Sequence, residues 1–309
     1  MEHPNWNGIF PAILTYFNED FSINLEDTLT HLEYLLENDA NGIIALGTCG
    51  ENNSLEMEEK MMLLEAIVKH TNGRVPIVAG VSELTTARAV RYTKGAVEAG
   101  VDGFMVLPAM AYSSDKRESI AHFQAVASAA PKHPLMVYNC PAAYRVDFDI
   151  PHLKELAKID NVVCVKEACG DTTRITDIIN EFGDRFLVLA GLDPVAFESL
   201  CLGAKGWISG TVSAFPKEDH AIYTLVQQGR IKEALEIHQW YLPLLQMDAV
   251  PKLVQLIKLI CKEVGIPGAN ANGICRPPRL ELEGQELDEA LKVIRKAIAT
   301  RPDLSKYGL

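Results

Sequence analysis

Eight short apolar runs punctuate the chain, at residues 8–17, 42–48, 76–82, 103–108, 134–139, 162–168, 186–191 and 206–210. They are rich in Val, Ile and Leu and continuous rather than alternating, the pattern of parallel strands covered on both faces. Between them lie longer segments with helical spacing. In 25–38, Leu29, Leu32, Leu35 and Leu36 fall on one stripe, and 56–70 and 85–98 repeat the theme. Gly73, Gly100, Gly183 and Gly203 mark helix ends. The βα rhythm repeats about every 25–30 residues and predicts a (β/α)8 barrel. A doubly wound open sheet is the competing architecture, but it would use fewer strands, and the first strand lacks a Gly-rich dinucleotide fingerprint. After Gly210 the strands stop, and the remainder reads as helices broken at Pro251 and across 266–279. The expected division is a barrel core at 1–215 and a C-terminal helical extension at 216–309 packed on it as one structural unit.

Composition narrows the function classes. With 29 basic and 41 acidic residues the net charge is -12, which disfavours nucleic acid and anionic membranes as partners. Seven cysteines without a CxxC pair suit buried thiols in a reducing compartment. The N-terminus has no signal-peptide pattern, and no apolar stretch is long enough for a transmembrane helix. A cytoplasmic enzyme is the expectation. The eight histidines lack metal-ligand spacing, so neither a metal nor an organic cofactor is expected.

In a βα barrel the chemistry sits at the C-terminal ends of the strands. The second run ends in Gly47-Thr48-Cys49-Gly50, which can turn backbone amides toward a carboxylate with the Thr48 hydroxyl beside them; it can equally be a tight turn before a helix. The fifth ends in Tyr138-Asn139, where Tyr138 is either a proton relay or a core aromatic. The sixth carries Lys166 at the end of an apolar strand. Pointing into the mouth, it would be a desolvated amine able to attack carbonyls; pointing out, a snorkelling lysine. Tyr138 and Lys166 are one βα unit apart, so nucleophile, relay and cradle converge on one cavity.

These residues resemble the dihydrodipicolinate synthase / N-acetylneuraminate lyase family of class I aldolases over nearly the whole chain. The markers are Gly47-Thr48-Cys49-Gly50-Glu51, Tyr138-Asn139-x-Pro141, Lys166-Glu167-Ala168, Ala190-Gly191 and Gly206-Trp207-Ile208-Ser209. The resemblance implies Lys166 as a Schiff-base lysine, Tyr138 as the proton relay and Thr48 with Cys49 as the carboxylate cradle. It places Gly191 and the Ile208 carbonyl at the substrate, and implies a homotetramer built as a dimer of dimers.

Three positions depart from the synthases of the family. Cys49 stands where they have a second Thr, Met110 where a Tyr crosses to the neighbouring subunit, and Ala143 where an Arg binds the second substrate's carboxylate. Loss of that bidentate donor is not conservative. Arg145, two residues on, is expected on an extended segment. Tyr112 and Tyr144 are candidates for the missing Tyr, or packing residues. Only Asp193 is polar around 190–193, too little for a sialic acid's polyol chain. Ala109, Met110, Ala142, Ala143, Cys49 and Cys140 suggest a small, fairly apolar pocket. The pattern looks most like the branch that deaminates Δ1-pyrroline-4-hydroxy-2-carboxylate to 2,5-dioxopentanoate in hydroxyproline catabolism. The alternatives are the synthase itself, another pyruvate or 2-keto-3-deoxy-acid aldolase or dehydratase, and a non-catalytic small-molecule-binding barrel. Trp207 is expected in the core, Arg276-Pro277-Pro278-Arg279 at the tail's last crossing, and 56–60 and 281–289 on solvated helix faces.

Overall fold

A computed structural model describes residues 3–109, 112–269 and 273–309. Eight strands form: β1 Gly8–Pro11, β2 Ile43–Ala45, β3 Ile77–Val81, β4 Gly103–Val106, β5 Leu135–Asn139, β6 Val162–Glu167, β7 Leu187–Ala190 and β8 Gly206–Ser209. All pair in parallel in the order β1-β8-β7-β6-β5-β4-β3-β2. An Ala12↔Ile44 bridge brings the end of β1 against β2 and closes the ring. The architecture is the expected (β/α)8 barrel. Nearly every strand residue is buried, because helices cover the outer face while side chains fill the interior.

The helices at Leu25–Glu37, Met57–Thr71 and Thr86–Ala99 lie within a residue of the ranges read from periodicity. Asn24 and Thr85 cap two of them by accepting the Asp27 and Arg88 amides. Beyond β8 come helices Pro216–Gln227, Ile231–Leu245, Leu253–Val264 and Gly284–Ala299. Pro243 lies inside the second of these, a position the helical pattern did not flag. No helix among the described residues is long and apolar enough to cross a membrane.

Two expectations need correction. Residues 141–145 are not extended: Pro141–Tyr144 is a helical turn, begun by proline at a position where no amide donor is needed, and Arg145 closes it at φ 59. Nor is 56–60 wholly solvated. Lys60 is buried and paired with Glu83, which Arg88 also approaches.

The tail is fastened to the barrel by a buried carboxylate. Glu51, fully enclosed in the loop after β2, accepts Lys258 Nζ at 2.7 Å and the Arg276 amide at 3.0 Å. Lys258 also donates to the Ile274 carbonyl at 2.7 Å. Arg276 reaches the Glu59 carboxylate and the Phe21 carbonyl, so the Arg276–Arg279 segment does fix the tail's crossing. Removing one member strands a buried charge. Lys258→Met is therefore expected to cost about 3–5 kcal/mol of stability, read from the denaturant midpoint; a loss below about 1 kcal/mol, the range of an exposed pair, contradicts this role.

Candidate active site

The loop after β2 is set from beneath. Asn52 Nδ2 donates to the carbonyls of Leu46 and Gly80, and Thr15 Oγ1 donates to the Gly50 carbonyl. With Glu51 anchored as described, Thr48 and Cys49 are left at the barrel mouth. Thr48 Oγ1 shares a 2.6 Å hydrogen bond with the Tyr144 hydroxyl. The Tyr144 ring meets Tyr138 edge-on, with centroids 5.4 Å apart.

Tyr138 and Lys166 are register partners on β5 and β6. Lys166 Nζ sits 3.8 Å from the centroid of the Tyr138 ring. The lysine is only 6% exposed, so it points into the mouth and is not a snorkelling surface group. Burial lowers its pKa, opposed chiefly by the negative charge of Asp248. A depressed pKa raises the fraction of neutral amine at neutral pH, the form that attacks a carbonyl or imine carbon. Burial pushes the Tyr138 phenol well above its usual value, and Tyr144 adds to this. Tyr144 is itself pushed up to about 12 by burial, with its Thr48 bond opposing. Both phenols therefore keep their protons at neutral pH and can donate them.

Gly191, read from sequence as a substrate contact, lies against the lysine stem. A Cβ there would stand 2.5 Å from Lys166 Cγ and 2.9 Å from Cε. Ile208 is buried on β8 opposite Phe10. Strand ends β5 and β6 are locked together by Asn139, whose Nδ2 donates to both oxygens of Glu167 at 3.0 and 2.9 Å. Asp193 is fully occupied, accepting from Trp207 Nε1, Ser209 Oγ and the Thr211 amide and hydroxyl; it braces β7 and β8, and Trp207 is in the core as expected.

The pocket expected from sequence is corrected in several places. Ala142 and Ala143 are exposed, as is Arg145. Tyr112 is 87% exposed, so of the two candidates for the missing tyrosine Tyr144 is the one that reaches Tyr138 and Thr48. Met110 lies outside the described residues. Cys49 is buried, and burial pushes its thiol up, which suits a space-filling group over a nucleophile. The reading missed Asp248 entirely. It lies on the turn Gln246–Ala249 at the end of a tail helix and packs against Asp193–Val195 at the mouth. No local signal marks such a long-range placement.

The Dihydrodipicolinate synthetase family model matches residues 5–297. The chain belongs to this family. It is an enzyme of a class of Schiff-base-forming lyases, which work through a covalent lysine imine and need neither metal nor organic cofactor. The 4-hydroxy-tetrahydrodipicolinate synthase of Oceanobacillus iheyensis is 32% identical over 293 residues, covering 94% of this chain and 97% of that protein. The dihydrodipicolinate synthase of Bacillus anthracis superposes with a TM-score of 0.89 at 28% identity, covering 97% and 99% of the two chains. The Acinetobacter baumannii synthase, solved with pyruvate, gives 0.86 at 28% identity over 94% and 98%.

Gly191→Ala tests the packing around the lysine in this family member. The added methyl must displace the Lys166 stem, and misplacement of a reacting group by about 1 Å costs on the order of 100-fold. Borohydride-trapped pyruvate adduct is expected to form at least about tenfold more slowly, a lower bound on that cost, with the circular dichroism spectrum retained. Unchanged trapping contradicts the placement.

Proposed function

We propose that the enzyme opens the five-carbon cyclic imine Δ1-pyrroline-4-hydroxy-2-carboxylate on Lys166, giving 2,5-dioxopentanoate and ammonia. The observation that carries this reading is that, among the described residues, the position where a second carboxylate would need a cation holds none. Ala143 stands where the synthase pattern has arginine, and Arg145 is turned out to solvent. A site with one cradle and two protonated phenols suits a monocarboxylate bearing a leaving hydroxyl.

In this reading Thr48 and the neighbouring amides hold the carboxylate. Lys166 adds to C2 of the imine, and the C2–N ring bond breaks with proton transfer to nitrogen, leaving an amine on C5. The protonated Lys166 imine withdraws electrons and acidifies C3–H, and the resulting enamine expels the 4-hydroxyl as water. Tyr138, backed by Tyr144 and Thr48, passes the proton that this departure needs. Tautomerisation yields an imine at C5. One water releases ammonia there, and a second frees the product from Lys166. The balance is one net water consumed and one ammonia released. The resemblance also supports action as a homotetramer.

The relatives above are synthases by name and favour a second reading, condensation of pyruvate with aspartate semialdehyde. A coupled assay separates the two. Ammonia release from the pyrroline, reduced at least about 1,000-fold in Lys166→Ala as expected for loss of a covalent nucleophile, supports the deaminase. Turnover of pyruvate plus the semialdehyde, with none of the pyrroline, establishes the synthase instead. Activity that survives in Lys166→Ala removes the Schiff-base mechanism.

A further inference from the structure

One side chain holds together the end of β5 and the buried Phe148 that follows it. Asn139 Oδ1 accepts the Phe148 amide at 2.9 Å, and Asn139 Nδ2 donates to Asp147 Oδ1 at 3.1 Å. Asp147 is gripped in turn by Arg174 of the helix Thr173–Phe182, with both bonds at 3.0 Å. The segment between is tightly wound. The Cys140 carbonyl accepts the Ala143 and Tyr144 amides at 3.1 and 2.9 Å, and the Pro141 carbonyl accepts the Arg145 amide at 2.9 Å. Arg145 closes the turn in the left-handed region at φ 59, a conformation that costs an L residue energy and that its surroundings must hold in place. Its carbonyl accepts Ser113 Oγ at 2.9 Å, which ties the turn to the loop after β4. Ala142, Ala143 and Arg145 are exposed, whereas Tyr144 crosses to the loop after β2 and bonds Thr48 Oγ1 at 2.6 Å.

That bond has a direction. Two hydroxyls 2.6 Å apart share one hydrogen, so one donates and the other keeps its own hydrogen free. The phenol is the more acidic of the two and the better donor to an alcohol oxygen. With Tyr144 donating, Thr48 Oγ1 is already an acceptor, and its own O–H must point elsewhere. Among the described residues Thr48 Oγ1 has no second hydrogen-bond partner. Its hydrogen is left for a group that enters the mouth.

We propose that Tyr144 is a positioning residue: by donating to Thr48 Oγ1 it turns the Thr48 hydrogen toward the substrate carboxylate. It governs recognition of the acid end and touches no reacting atom. A hydroxyl that already accepts a hydrogen bond is polarised into a stronger donor, so the pair exceeds Thr48 alone. This role rests on the reading that Thr48 holds the carboxylate of a ketone carried on Lys166. It does not require the pyrroline, since every 2-oxo acid presents the same end to Thr48.

Pyruvate and acetone separate this role from mere packing against Tyr138. Each ketone condenses with the Lys166 amine, releasing water, and hydride from borohydride reduces the imine to a stable secondary amine. Labelling is read by mass on the Lys166 peptide. Acetone has no acid end, so its rate reports the lysine, the Tyr138 face and the fold. The pyruvate rate divided by the acetone rate, for each protein, reports the cradle. Thr48→Val is expected to lower that ratio at least about tenfold, the loss of a hydrogen bond to a charged group. Tyr144→Phe is expected to lower it at least about threefold, because the freed hydroxyl then samples three staggered orientations of which one faces the substrate. In the Thr48→Val background, Tyr144→Phe is expected to change the ratio by less than about twofold, since it acts through Thr48. A ratio unchanged in Tyr144→Phe, or an equal fall in both backgrounds, overturns the proposal and leaves the cradle standing. A ratio unchanged in Thr48→Val removes the cradle itself. Should a variant fail to fold, a neutron density map of the wild type decides the same point. The hydrogen of the 2.6 Å bond is expected on Tyr144; finding it on Thr48 overturns the proposal.

Discussion

The Glu51 carboxylate is the constraint through which barrel and tail act as one object. It is enclosed at the end of the loop that carries Thr48 and Cys49, and it is neutralised by Lys258 from a helix more than two hundred residues later. A buried charge is tolerable only when paired and hydrogen-bonded, so this loop cannot reach its conformation until the tail has docked. The same docking sets the Gln246–Ala249 turn over the mouth. The loop that carries Thr48 thus rests on Glu51, which Lys258 and, at 3.6 Å, Arg279 both approach.

Within that frame the site follows from desolvation. An amine embedded at the end of an apolar strand loses stabilisation of its charged form, and two phenols in the same enclosure lose theirs in the opposite direction. The result is an amine whose proton is held less tightly, beside groups that retain theirs. Lys166 is oriented by its neighbours: the Tyr138 face on one side, the bare Cα of Gly191 on the other. A net charge of -12 does not exclude an anionic substrate, because groups lining a mouth act over a few ångströms while the global charge is screened beyond about 10 Å.

The barrel was legible because its signal is local and repeated: buried parallel strands read as unbroken apolar runs, and covering helices read as stripes. Lys166 and Tyr138 were legible for a related reason, as polar residues breaking apolar runs at the end where barrel chemistry occurs. The helical turn at Pro141–Tyr144 is within the sequence's reach, since proline followed by two alanines favours a first turn, whereas the expectation puts Arg145 on an extended segment. That error hid the path by which Tyr144 returns to Thr48. Asp248 is out of the sequence's reach. It is one acid among 41 acidic residues, and only the docking of the tail brings it beside Gly210 and Cys49. Lys60 shows the same limit, because its partner Glu83 lies beyond the next strand.

The central claim is that Lys166 carries the substrate covalently while the Thr48 loop holds its carboxylate. A crystal structure of the protein soaked with pyruvate tests this most directly. The account predicts continuous density from Lys166 Nζ to C2 of the bound molecule, with the carboxylate against Thr48 Oγ1 and the loop amides. Pyruvate lying free in the mouth, attached to another lysine, or bound with its carboxylate turned away from Thr48 would contradict it.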